Sequence, residues 1–196
     1  MKRITQRIAN LRRVLRKDDV LSLARRYFVA NGFDGTLTTI GVVVGAYLSG
    51  IEDGATVIAI GLGAAVGLGT SGVWSVWEIE RAETSRTQEQ LEAAMLRSLE
   101  DTQLTRDLRN EQIVLALAAA SGPVIAVILM LLPFLFVDGA YGLFEATIIS
   151  IGLGILLLGT VGAYMGMISR QRWWVAAIRM GLAGIVVAII SIFLPG

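Results

Sequence analysis

Residues 27–50 read Tyr27-Phe-Val-Ala-Asn31-Gly-Phe-Asp34-Gly-Thr-Leu-Thr-Thr-Ile-Gly-Val-Val-Val-Gly-Ala-Tyr-Leu-Ser-Gly50. The stretch is mostly apolar and long enough to cross a bilayer, which takes about 20 such residues in a helix. A crossing would put the carboxylate of Asp34 into hydrocarbon. An acid at the centre of a spanning helix costs roughly 2.5–3.5 kcal/mol on insertion scales. A chain that carries one there usually uses it, most often to bind a cation or carry a proton. Counted from Arg26, Asp34 lies about 12 Å deep in a hydrocarbon layer about 30 Å thick. Gly32 and Gly35 flank it, and Thr36, Thr38 and Thr39 follow. The expectation is a bent or locally unwound helix whose opened carbonyls and hydroxyls join Asp34 in a hard-oxygen site for a divalent cation or a proton. The plainer alternative is an acid satisfied by neighbouring backbone.

The rest of the chain agrees with a membrane reading. It has 196 residues, 55% of them hydrophobic, with mean hydropathy +0.68. That is too apolar for a soluble domain of this length. Spans are expected at 27–50, 55–77, 113–137, 141–168 and 173–194, giving an all-α protein with five transmembrane helices. Nine of the 17 Lys and Arg fall in residues 1–26, five in 78–112, and the last three are Arg170, Arg172 and Arg179. The turns at Ile51-Glu52-Asp53-Gly54 and Asp138-Gly139-Ala140 have none. The positive-inside rule then puts the amino terminus in the cytoplasm and the carboxyl terminus outside, as an odd span count requires. His and Cys are both absent, which excludes imidazole metal sites, histidine relays, thiolate ligands and disulfides. No secretory signal peptide, nucleotide loop, catalytic triad or metalloprotease helix is present. The chain reads as no enzyme, without a prosthetic group, and its membrane-flanking basic residues do not suggest nucleic-acid binding.

Four regions follow. Residues 1–26 form a basic amino-terminal segment. Ile4, Ile8, Leu11 and Leu15 make one apolar stripe there, suited to a helix lying on an anionic leaflet, with a solvated basic tail as the alternative. Asp18 and Asp19 are expected to cap a second short helix. Residues 27–77 hold spans one and two, 78–112 an acidic helical cytoplasmic insert, and 113–196 spans three to five. Span two should continue as a helix past the membrane, because residues 73–99 contain neither Gly nor Pro, with a break near Ser98. The pairs Gly41/Gly45, Gly63/Gly67 and Gly162/Gly166 suit close helix approach, most of it within the chain and some at a subunit interface. Pro123 and Pro133 each free a carbonyl in span three.

The insert offers a second constellation. Glu78, Glu89 and Glu92 fall within about 60° on a helix, and Glu80 and Glu83 share another face. Glu100, Asp107 and Glu111 line a further stripe, and Met95 supplies a soft donor. Such helices can hold a divalent cation. They can equally be solvated, with Glu78–Arg81, Glu83–Arg86 and Arg97–Asp101 as ordinary helical ion pairs. Glu145, at the outer start of span four, reads as interfacial rather than as an exit ligand. Trp173 and Trp174 belong to an aromatic belt.

Asn31-Gly-Phe-Asp-Gly-Thr-Leu-Thr-Thr-Ile-Gly-Val-Val-Val-Gly45 resembles the Asp-Gly motif and Gly-punctuated first helix of the vacuolar iron transporter family, including its prokaryotic and nodulin-like relatives. Gly162-Ala-Tyr-Met-Gly166, Trp173 through Met180 and Gly181-Leu-Ala-Gly184 fit it too, as does the order of two spans, charged insert and three spans. The resemblance implies a homodimer with its first spans near the two-fold axis. It implies export of ferrous iron or manganese from the cytoplasm in exchange for protons, in a prokaryotic cell membrane. Asp34 would be the transmembrane ligand, and Glu78, Glu80, Glu83, Glu89 and Glu92, with Met95, the cytoplasmic collecting site. The chain departs from the family in span two, where 55–77 lack an acid and Val66 or Gly69 replaces a Met, and in its short insert of about two helices. A non-transporting scaffold or metal sensor, and a passive channel, are the rival readings.

Overall fold

The structure is a computed structural model that describes residues 17–96, 102–137 and 139–193. The expectations for the basic stripe within residues 1–16, the break near Ser98, Glu100 and the Arg97–Asp101 pair lie outside them. Five helices follow one another: α1 Asp18–Leu48, α2 Gly54–Met95, α3 Gln103–Leu131, α4 Leu143–Ile168 and α5 Trp173–Phe193. Each is long and apolar enough to cross a membrane. The protein is a multi-pass integral membrane protein.

The side-chain distribution is that of a lipid-facing bundle. Small residues fill the interior: Gly35, Thr36, Thr39, Ala65, Gly69, Ser150, Gly154, Gly162 and Gly184 are buried. Large aliphatic residues point out, among them Val66 at 69%, Leu156 at 61% and Ile192 at 57% exposure. In lipid nothing is gained by hiding Leu from the solvent, so close backbone contact between small residues carries the packing. Aromatic side chains mark both edges. Trp74, Trp173 and Trp174 are exposed toward one end, and Tyr47 lies 5.7 Å from Phe144 at the other. The 20 helical steps from Tyr27 to Tyr47 span about 30 Å, the thickness of the hydrocarbon layer.

α1 is the hub and touches all four other helices. It is unbroken from Asp18, with Lys17 at the N-cap position and no side-chain cap. Asp18 and Asp19 therefore occupy its first turn, where they complement the helix dipole, and do not cap a separate short helix. The turn between α1 and α2 bends at Gly50, φ +73°. Asp53 then caps α2 by accepting from the N–H groups of Ala55 and Thr56 and from the Thr56 hydroxyl. These bonds, the hydroxyl first, hold its carboxyl below the usual range.

α2 has 42 residues and is about 60 Å long. It continues well past the bundle, as the absence of Gly and Pro suggested, and stops at Leu96 in the left-handed region, φ 50°. The described part of the insert consists of extensions of α2 and α3, not of independent helices. Pro123 lies inside α3, whereas Pro133 falls in a closing 3-10 turn, Leu132–Phe136, and not in a kinked α-helix. Tyr141 donates to the Pro133 carbonyl at 2.8 Å and fastens the turn between α3 and α4. The glycine pairs divide. A Cβ on Gly162 or Gly166 would strike Ala176 or Trp173 of α5, while around Gly45, Gly63 and Gly67 there is open space. Packing within the chain thus accounts for one pair rather than for most.

Candidate metal site on the first helix

The two faces of α1 near Asp34 are built differently. The inward face is locked to α3. Pro123 has no N–H, so the carbonyl of Ala119, one turn earlier, loses its helical partner. Asn31 supplies the replacement: its side-chain amide donates to Ala119 O at 3.0 Å. The backbones meet where this happens. A Cβ on Gly35 would lie 2.5 Å from Pro123 Cα, and one on Gly122 would collide with the Phe28 carbonyl. Gly35 and Gly122 therefore serve close approach, a Cβ on Gly32 would make only ordinary contact with Gly122, and α1 stays α-helical through Gly32 and Gly35 without unwinding. Thr36 and Thr39 are buried and turn their hydroxyls back onto the carbonyls of Gly32 at 2.8 Å and Gly35 at 2.7 Å. The expected opened carbonyls are absent from this segment, and these two hydroxyls point away from Asp34.

Asp34 is on the opposite, outward face and is exposed. Ala30 and Thr38, one turn to either side, are exposed with it, and Gly41 and Gly45 continue the strip. Among the described residues no hydrogen bond or ion pair reaches the Asp34 carboxylate. It lies seven residues beyond Tyr27, hence about 10 Å from the charged edge of the bundle. Thr38 is the hydroxyl placed to share a ligand with it.

The carboxylates of α2 are strung along its extension. Glu78, Glu83 and Glu89 are exposed, and Glu78 has a loose 3.9 Å pair with Arg81. The Glu83–Arg86 pair does not form among the described residues. Glu80 is half-buried and accepts from the Tyr27 hydroxyl at 2.7 Å, which ties α2 to α1 at the membrane edge. Glu92 is half-buried and accepts from Gln88 at 3.0 Å. Met95, the last residue of α2, is 60% exposed. From Glu78 to Glu92 is about 21 Å along the axis. Among the described residues no three acids converge into a metal-holding group. Glu111, expected in an acidic stripe, bonds to Lys17 at 2.6 Å, which raises the lysine's pKa. Glu145 is exposed in the first turn of α4.

Asn31 and Tyr27 were not singled out by sequence. An amide inside an apolar span, together with a proline in a later span, is the signal that finds Asn31. Nothing local marks Tyr27 as the partner of Glu80.

Comparison with known proteins speaks to the family and not to individual site residues. The family model described as the VIT family matches residues 72–195, which takes in the extended part of α2 and everything after it. An uncharacterized protein of Methanocaldococcus jannaschii is 30% identical over 168 residues, covering 84% of this chain and 85% of its own.

Proposed function

The chain belongs to the VIT family, and from that premise we propose that it exports a divalent metal ion, ferrous iron or manganese, from the cytoplasm in exchange for protons. The observation that carries this reading is Asp34. An unpaired carboxylate about 10 Å inside a bilayer is costly, and a cation or a proton removes the cost. The surrounding strip of Ala30, Thr38, Gly41 and Gly45 is narrow enough for a second copy to come close. We take the working unit to be a homodimer in which the outward faces of two α1 helices meet at the two-fold axis. Two facing carboxylates resist simultaneous ionisation, so the empty site keeps at least one proton, and metal binding expels it.

The basic end of the bundle is cytoplasmic in this scheme, with the residues before α1 resting on the anionic leaflet. Glu78, Glu80, Glu83, Glu89, Glu92 and Met95 raise the local metal concentration there. Because they are spread along a rod, they do so as an electrostatic antenna, or as a site completed by the partner's α2. The protein acts as a carrier and not as an enzyme, and needs no resident cofactor.

The test is uptake of ferrous or manganous ion into liposomes under an imposed pH gradient. Flux that saturates, follows the gradient and disappears in Asp34→Ala is the expected result. Unchanged flux in that variant rejects the mechanism. The spread of the α2 acids and the lack of an acid in span two favour a second reading, a metal sensor or scaffold, for which no gradient produces flux.

A further inference from the structure

At the charged end of the bundle, α2 and α3 enclose a cleft of about 420 Å³ lined by Trp77, Arg81, Thr84, Thr105, Arg109 and Gln112. Its floor is fixed. Gln112 is only 7% exposed, and its amide donates to the Thr84 hydroxyl at 2.9 Å and to the Glu80 carbonyl at 3.4 Å, which holds the two helices in register. Two guanidinium groups, one from each helix, line the cleft, and among the described residues no carboxylate does. The nearby acids are engaged elsewhere: Glu80 faces Tyr27, and Glu111 holds Lys17. Glu78 approaches Arg81 only to 3.9 Å, with both side chains more than half exposed, an arrangement of little energetic weight.

We propose that this cleft binds a phosphate group, and that the headgroup of an anionic phospholipid in the adjoining leaflet is its occupant. Two planar guanidinium forks from different helices, with hydroxyl and amide groups beneath them, match a tetrahedral oxyanion, which each fork can bind through two parallel hydrogen bonds. The position favours a lipid over a free ion. Trp77 lies one helical turn before Arg81, at the level where Tyr27 meets Glu80, so the cleft opens at the membrane edge. An indole there suits the glycerol region while the arginines reach the phosphate. Basic pockets between membrane helices at this depth are suited to anionic headgroups. The inference is independent of metal transport.

Full-length protein in a neutral detergent would be titrated with short-chain phosphatidylglycerol, short-chain phosphatidylcholine or inorganic phosphate, with thermal unfolding followed by circular dichroism. Phosphatidylglycerol should raise the unfolding temperature saturably, and R81Q/R109Q should weaken its apparent Kd by about tenfold or more. R170Q/R172Q, exposed in the turn between α4 and α5 and outside the cleft, should bind as the parent does. Inorganic phosphate protecting equally, with the same dependence on the two arginines, keeps the cleft and assigns it to a free ion. A phosphatidylglycerol effect that R81Q/R109Q leaves intact, one matched by phosphatidylcholine, or no saturable effect from either phosphatidylglycerol or phosphate overturns the proposal. Should R81Q/R109Q not fold, R81K/R109K keeps both charges and loses the forks, and an affinity unchanged from the parent overturns it equally.

Discussion

The inward and outward faces of α1 lie side by side on one helix and obey opposite rules. Inward, every polar group near Asp34 has a partner: Asn31 on Ala119, Thr36 on Gly32 and Thr39 on Gly35. Outward, Asp34 has none within the described chain, and its neighbours Ala30 and Thr38 are exposed. Buried polar groups are normally satisfied because leaving one unpaired in an apolar medium is expensive. On the function proposed above, the second face is the one that meets something outside the protomer. Structural polarity and functional polarity can thus be separated by asking which groups have been answered from within.

The contrast is most severely broken on the inward side. Gly35→Val should destabilise the bundle by about 3 kcal/mol, because its Cβ meets α3 backbone and not a yielding side chain. Unfolding in mixed detergent measures this, and near-parental stability would mean that the α1–α3 contact is looser than described. Asn31→Ala should cost about 1–2 kcal/mol by leaving the Ala119 carbonyl unpaired. A double-mutant cycle sharpens the point. Pro123→Ala restores an N–H to that carbonyl, so Asn31→Ala should cost much less in its background. Additive losses would show that the amide acts some other way.

On the outward side, Asp34→Asn should leave stability within about 0.5 kcal/mol of the parent, or raise it, while abolishing flux. A large stability loss would move Asp34 into the structural class. The smallest effect belongs to Lys17–Glu111. The ion pair raises the lysine's pKa above 10.5, so its contribution is complete below that pH and is lost as pH rises through the folded-state value. The lysine is 44% exposed, so solvent screening limits the pair to a few tenths of a kcal/mol. The unfolding temperature of Lys17→Met should therefore converge with that of the parent once the pH has risen past the lysine's raised folded-state pKa. A gap that persists there would indicate packing and not charge.

The five helices were legible in the sequence because membrane spans are specified by length and hydropathy, which are local properties. Their ends were less so, since α1 begins at Asp18 and α3 at Gln103, well before the expected 27 and 113. The continuation of α2 was legible too, since nothing in residues 73–99 can break a helix. The prominence of Asp34 was legible for the same reason: a charge in an apolar run is conspicuous. The role of its flanking glycines was not, because Gly32 and Gly35 look alike whether they loosen a helix or admit a neighbour. Only the position of Gly122 and Pro123, some 90 residues away, decides between the two. The pairings of Glu80 with Tyr27 and of Glu111 with Lys17 were hidden likewise, as contacts between distant segments. They withdraw Glu80 from the face it shares with Glu83 and Glu111 from the expected stripe with Asp107, and leave the face of Glu78 and Glu89 untouched.

The Asn31–Ala119 bond has a mechanical corollary. A proline that would ordinarily be a hinge has been splinted by a neighbour, so the first and third helices must swing together or not at all. The fourth and fifth pack closely on each other and more sparsely on the first. Alternating exposure of Asp34 would therefore have its sliding seam between that outer hairpin and the splinted pair, and cross-links across the seam should stop turnover while cross-links from α1 to α3 should not.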